Sequence, residues 1–486
     1  MKNVLSAAQV RAAEEYAMSK GVTRTILRFS ASLAVADIIS EHAGAQSDKR
    51  IAVFCGSGGN GCDGLLVACR LHTTGYGVTA YTVDNVSKID GEIMAFVNST
   101  GLTVKSAAEY VCDADLIVDA IFGIGLNKPI TGELVGLIQK LNAQKDAYRL
   151  ALDVPSGLNC DTGEVMGVCF KADETVTFSC YKSGMLFGNG RDVCGKIIVK
   201  DIGILTSSDI YVYEDEDFPA YTRERTAHKG TAGKVYIMGG CGSMVGAPIM
   251  AGAAAHTAYL NGAGTVTICV PNIHRAAMSA RATMAVLKFM PDTPDGFIKF
   301  DKTLLDDIIK NASAICLGVG MGANPELSRI VKYICENYDK AVVIDADAIN
   351  SIKGDYSFLK TSKAKVILTP HVGEFKRLTD LDATVENAVK IASELNILLV
   401  LKSATTIITD GKQVRLNVTG TPAMAKGGMG DMLGGCITSL TCAYDPIDAA
   451  TIACYRNGLG AERAVSSYAQ MMLTASDVLK FADYKE

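Results

Sequence analysis

The chain has 486 residues, 49% of them hydrophobic and 20% charged, with 47 glycines, 11 prolines and no tryptophan. That composition excludes global disorder and supplies apolar material for two large α/β domains or three smaller ones. A net charge of −5 without a block of like charge argues against a nucleic-acid partner, and 15 cysteines without paired or His-clustered spacing read as reduced thiols of a cytoplasmic protein, not as a disulfide frame or zinc site.

Residues 1–20 read as an amphipathic helix carrying Val4, Leu5, Ala8, Ala12 and Tyr16, with no apolar core long enough for a signal peptide. Apolar strands then recur over 51–55, 78–81, 116–121 and 149–154, with helices over 63–74 and 133–143 and shorter strands over 174–178 and 196–199. Short apolar runs alternating with helices predict a parallel sheet covered on both faces. The pattern lapses over 206–228, rich in Ser, Asp, Glu and Arg, which puts a domain boundary near 220 and predicts domains of 1–220 and 221–486. Strands resume over 234–238, 265–270, 314–317, 341–344, 366–368 and 397–401. A hairpin is predicted across Asp410-Gly411 between 405–409 and 413–417, and helices fill the chain from about 430. Residues 235–274 hold no Asp, Glu, Lys or Arg, but glycines and prolines cut them into short runs. They read as strand, loop, helix and strand within a core, not as a membrane span.

Three turns at strand ends carry chemistry in the first half. The run 56–64, GSGGNGCDG, follows a strand and opens a helix, so its backbone can approach a phosphate and its first amides can hold one. A tight turn alone explains the same glycines. The runs 119–125, DAIFGIG, and 153–157, DVPSG, end the next two strands, where ligands bind in open α/β sheets. Asn60, Asp119 and Ser156 are oxygen donors suited to a hard cation, or else helix caps. Asp153, poorly solvated at the end of an apolar strand, is a candidate acid/base.

In the second half, 417–431 reads NVTGTPAMAKGGMGD. Glycines leading into a helix leave amides free for an anion, and Asp431 beside them can take a proton from a hydroxyl. Phosphoryl transfer needs that pairing of a base with an anion hole. Against it stands a plain Gly-rich turn, with Asp431 favourable to the helix dipole.

The first-half motifs resemble those of the NAD(P)H-hydrate epimerases, whose pattern GxGNNGGDG is matched with Gly59 in place of an Asn and Cys62 in place of a Gly. The resemblance covers about 1–215. It implies a Rossmann-like domain that interconverts the R and S epimers of hydrated NADH or NADPH. It also implies K+ at Asn60, Asp119 and Ser156. The hydrated nucleotide falls to Gly59, Asn60, Gly61, Cys62 and Asp63, to Gly123, Ile124, Gly125, Leu126, Asn127, Lys128 and Pro129, and to Asp153.

The second-half run is similar to that of the NAD(P)H-hydrate dehydratases of the ribokinase-like α/β fold, over about 222–486. This resemblance implies phosphorylation of the 6-hydroxyl of the S hydrate, with ADP as donor in bacterial members and Mg2+ present, then loss of phosphate. Ala247, Gly320 and His371 fall to the hydrate. Lys402, Ser403, Ala404, Thr405, Thr406 and Gly430 fall to the adenine nucleotide, and Asp431 is the base. Glu374 either orients Mg2+ through water or caps a helix, and Lys426, a Thr in the family, adds a cation near the phosphates. The partners expected are small molecules, with no nucleic acid and no membrane, and a homo-oligomer is expected. The alternative is a small-molecule kinase of the same fold joined to a non-catalytic nucleotide-binding module.

Overall fold

The computed structural model describes residues 1–44, 48–220, 224–244, 254, 257, 258, 260–281, 284–322, 324–467 and 469–482. The chain divides into two compact units, Lys2–Ile210 and Tyr211–Glu486, with Met1 grouped with the latter.

In the first unit a 7-stranded sheet runs in the order Thr103–Ser106, Gly77–Thr82, Arg50–Cys55, Leu116–Ala120, Tyr148–Leu152, Glu174–Phe178, Lys196–Lys200. Every neighbouring pair is parallel. The chain builds outward from Arg50–Cys55 in one direction, then returns and builds the other way from Leu116–Ala120. The crevice between those two strands is where an open sheet receives a ligand. Buried Val, Leu, Ile and Ala from the strands pack against the helices Arg24–Ala43 and Gly59–Thr73 on one face, and Tyr81, Tyr110 and Phe170 fill the other.

The N-terminus departs from the expected single helix. Lys2–Leu5 is a strand paired in parallel with Tyr181–Lys182, and Ser6 caps a helix that starts at Ala7. The Ser6 hydroxyl accepts from the Gln9 amide while Gln9 reaches back to the Ser6 amide, a capping box that fixes the start.

The second unit repeats the switch. Its parallel strands run Val286–Met290, Thr265–Pro271, Lys234–Gly239, Ala314–Val319, Ala341–Ile344, Lys365–Leu368, Leu398–Leu401, and the reversal lies between Lys234–Gly239 and Ala314–Val319. The expected hairpin is present: Thr406–Thr409 and Val414–Asn417 pair antiparallel, with Gly411 at φ 84°. Helices Met429–Leu440 and Pro446–Ser467 cover one face. The cysteines carry free thiols. Among the described residues no helix is long and apolar enough to cross a membrane.

Candidate functional sites

In the first unit, strand Arg50–Cys55 hands the chain to a turn and then to helix Gly59–Thr73, whose cap Gly58 contributes no side-chain hydrogen bond. The turn is this tight because Gly61 lies against Gly56: a Cβ on Gly61 would sit 1.8 Å from the Gly56 carbonyl oxygen. Gly59, by contrast, faces open space. Cys62 sits inside the helix, at negative φ, with its thiol in the core. The side chain that replaces the family's glycine is therefore accommodated without backbone strain.

Asp119 ends the neighbouring strand and is fully buried. Its Oδ1 accepts from Ser156 Oγ at 2.6 Å, and its Oδ2 accepts from the Ser156 amide at 2.7 Å. Ser156 Oγ accepts in turn from the Phe122 amide at 2.8 Å. Asn60 Nδ2 donates to the carbonyls of Phe122 (3.0 Å) and Leu152 (3.1 Å), which brings the helix start onto the same three strand ends. Burial pushes the Asp119 carboxyl up to about 6, with the Ser156 hydroxyl and amide opposing. Its partners are neutral donors, and among the described residues no ion pair reaches it. A buried carboxylate without a counter-ion, ringed by amide, hydroxyl and carbonyl oxygens, fits a monovalent cation.

Asp153 follows strand Tyr148–Leu152 in the left-handed region, at φ 67°. Its Oδ1 accepts from Lys182 Nζ at 2.6 Å and from Thr177 Oγ1 at 3.2 Å. Lys182 is 1% exposed and spends its other two donors on Thr177 Oγ1 (2.7 Å) and the Phe178 carbonyl (3.1 Å). These groups border a cavity of about 680 Å3. Gly59, Asn60, Asp63, Gly123, Ile124, Gly125, Leu126 and Asp153 line it. Gly61 and Cys62 are buried behind it, and Asn127, Lys128 and Pro129 are exposed beyond its lining. Sequence reasoning missed Lys182, Glu14 and Arg28, which also line the cavity. Nothing local marked Glu14 or Arg28.

In the second unit, Gly428 caps helix Met429–Leu440 at φ 95°, again without a side-chain bond, so the first-turn amides are open to an anion. Asp431 lies in that first turn. Burial raises its carboxyl to about 6, Asp345 and Asp347 add to the rise, and Lys402 opposes it.

Asp345, at the end of strand Ala341–Ile344, is 1% exposed, and its Oδ1 accepts from Lys402 Nζ and from Thr369 Oγ1, each at 2.8 Å. Burial works to lower the Lys402 ammonium, but Asp345 outweighs it and the net shift is upward. A Cβ on Gly430 would stand 3.5 Å from Lys402 Nζ, so the helix start lies over this ion pair. The pairing of Asp345 with Lys402, 57 residues on, is not marked by any local sequence pattern.

Gly320 occupies the neighbouring strand-end turn at φ 63°. His371 caps helix Val372–Thr379: its Nδ1 accepts from the amides of Gly373 (3.0 Å) and Glu374 (3.3 Å), which leaves Nε2 as the donor of the neutral ring. Glu374 Oε2 accepts from the His371 amide at 2.9 Å, so this residue takes the capping role. Lys402 is partly buried, Ser403 and Ala404 are exposed, and Thr405 and Thr406 are buried. Ala247 lies outside the described residues. Lys426 Nζ donates to the carbonyls of Met471 (2.7 Å) and Leu473 (2.8 Å), which engages the cation expected near the phosphates.

Residues 235–481 match a family model described as NAD(P)H-hydrate dehydratase, and residues 25–184 match one described as YjeF-related protein N-terminus. The chain is 32% identical to a bifunctional NAD(P)H-hydrate repair enzyme of Moorella thermoacetica, over 94% of this chain and 92% of that one. It is 34% identical to one of Hyperthermus butylicus, over 95% and 88%. A crystal structure of an ADP/ATP-dependent NAD(P)H-hydrate dehydratase from Bacillus subtilis, co-crystallised with ATP/Mg2+, matches 54% of this chain and 91% of its own at 26% identity and a TM-score of 0.45.

Proposed function

This chain belongs to the bifunctional NAD(P)H-hydrate repair enzymes, and from that premise we propose which of its groups carry the two reactions. Residues 1–220 interconvert the R and S hydrates of NADH and NADPH. Residues 221–486 dehydrate the S form at the expense of ADP, giving AMP and phosphate. Joining the two is chemically sensible, because hydration yields both epimers and the second reaction accepts one.

Epimerisation is a reversible loss and return of hydroxyl at the carbon beside the ring nitrogen. Asp153 handles the proton. The observation that carries this is its ion pair with the buried Lys182 on the cavity wall, which fixes the position of the carboxylate and aims it. Asn60, Asp119 and Ser156 would hold K+, which balances the Asp119 charge and braces the three strand ends. Gly59, Asn60, Asp63, Asp153 and the run Gly123 to Leu126 would contact the hydrated ring and its nucleotide.

In the second unit Asp431 takes the proton of the 6-hydroxyl as that oxygen attacks the terminal phosphorus of ADP, and the amides of the 427–430 turn face the charge that develops. Loss of phosphate then breaks the carbon–oxygen bond, and loss of a proton from the adjacent ring carbon forms the carbon–carbon double bond that restores the dihydronicotinamide. The partly buried Lys402, with Ser403, Ala404, Thr405, Thr406 and Gly430, would receive the adenine nucleotide, and Ala247, Gly320 and His371 the hydrate. Mg2+ would arrive with the nucleotide. It would neutralise phosphate charge.

The test is recovery of reduced nucleotide from mixed hydrates with Mg2+ and either ADP or ATP. Full recovery is expected with ADP. Recovery of only the S half removes the epimerase assignment, and no recovery with either donor removes both.

A further inference from the structure

Of the carboxyls that line the first-unit cavity, Asp63 and Asp153 have opposite hydrogen-bonding environments. Asp153 has two donors on one oxygen, one of them the Lys182 ammonium. Asp63 has none: its Oδ1 is shielded from solvent and makes no hydrogen bond. The nearest cation, Arg28, stands 3.9 Å from it and is bonded to Asp90 at 3.1 Å. A carboxylate left so is poorly stabilised, whereas a carboxylic acid is tolerated and carries a proton to give.

We infer that Asp63 is a second proton-handling group of the epimerisation, acting as acid where Asp153 acts as base. The inference rests on the epimerase reading of this cavity. The groups around Asp63 fit the assignment. Glu14 on helix Ala7–Ser19 and Asp153 at the strand end are like charges, Cys62 precedes it, and Arg28 on helix Arg24–Ala43 is shared with Asp90 at the start of helix Gly91–Thr100. Burial pushes the Asp63 carboxyl up to about 8, with Arg28 opposing and Asp153 and Glu14 reinforcing.

Inverting a carbon by loss and return of water needs such a pair, one group for each face. Asp63 gives its proton to the 6-hydroxyl, the carbon–oxygen bond breaks, and the ring-nitrogen lone pair forms the nitrogen–carbon double bond as water leaves. Water then adds to the other face, its proton passes to Asp153, and the double-bond pair returns to nitrogen. Asp63 ends ionised and Asp153 protonated, the state required for the opposite epimer. Proton exchange with solvent resets the pair. Both side chains line the same cavity, Asp63 from the helix after strand Arg50–Cys55 and Asp153 from the end of a strand two places away, strands roughly 10 Å apart at the usual spacing.

The experiment compares the full chain with Asp63→Asn, measuring R-to-S and S-to-R rates against pH. The parent is expected to lose kcat/KM above about pH 8. Asp63→Asn is expected to lose about 100-fold or more in kcat in both directions, to change KM by less than about threefold, and to lose the alkaline limb. A folded Asp63→Asn that keeps the parental kcat, or keeps the alkaline limb, overturns the inference and leaves the epimerase reading standing. A parent that does not interconvert the epimers overturns that reading, and this inference with it. Folding is checked by melting at pH 8, where Asn spares the unit a buried charge. If Asn unfolds it, Asp63→Glu keeps a carboxyl and must keep an alkaline limb; its absence overturns the inference.

Discussion

Lys182→Met isolates the interaction on which the first site is built. The ammonium has three donors, and the structure gives each one an acceptor: Asp153 Oδ1, Thr177 Oγ1 and the Phe178 carbonyl. Methionine keeps much of the volume and removes all three bonds, leaving Asp153 with Thr177 alone in a wall where its side chain is 13% exposed. Breaking a buried ion pair from one side costs about 3–5 kcal/mol, because the remaining charge is uncompensated. For a unit of this size each kcal/mol is worth about 2–4 °C of melting temperature, so a fall of about 10 °C is expected. Hydrogen exchange of peptides spanning residues 148–182 in the full chain reads the loss locally. The double variant Lys182→Met, Asp153→Asn removes the orphaned charge and should recover about 2 kcal/mol while remaining inactive as an epimerase. A single variant within about 0.5 kcal/mol of the parent, or a double variant no more stable than the single, would refute the electrostatic account of this pair.

Three further outcomes follow from the geometry. Asp431 must be ionised to accept a proton, and its carboxyl is raised to about 6. Dehydration kcat/KM should therefore rise with pH and level off above about pH 7, and Asp431→Asn should abolish turnover while ADP binding persists in calorimetry. Asp119→Asn keeps the shape of the cluster and deletes its charge. Replacing Na+ by K+ should raise the melting temperature of the parental N-terminal unit and leave that of the variant unchanged. Gly61→Ala drives a methyl to 1.8 Å from the Gly56 carbonyl and should cost about 3 kcal/mol, whereas Gly59→Asn enters open space and should change stability by less than about 0.5 kcal/mol in urea unfolding.

Much of the first site was legible because its turns are local. GSGGNGCDG, DAIFGIG and DVPSG each carry their glycine, cap and strand-end carboxylate within a few residues, and apolar strands preceding them declare where they sit. The elements that escaped were those whose pattern is weak. Strand Thr103–Ser106 lies at an edge, with three of its four residues exposed, and Val286–Met290 is also at an edge. Helix Arg24–Ala43 buries residues along its length without a sharp polar face, so periodicity did not announce it.

What the sequence determined by itself was the alternation of strand and helix, the glycines where backbone meets backbone, and the candidacy of Asp153 and Asp431 as proton-handling carboxyls. Each of these is set by neighbours within one turn. Only the tertiary structure decided what those carboxyls face. It gave Asp153 the ammonium of Lys182, 29 residues later, gave Asp345 that of Lys402, and left Asp63 without a donor. Charge state depends on distance and burial, which strand order and side-chain packing create and which linear spacing does not contain.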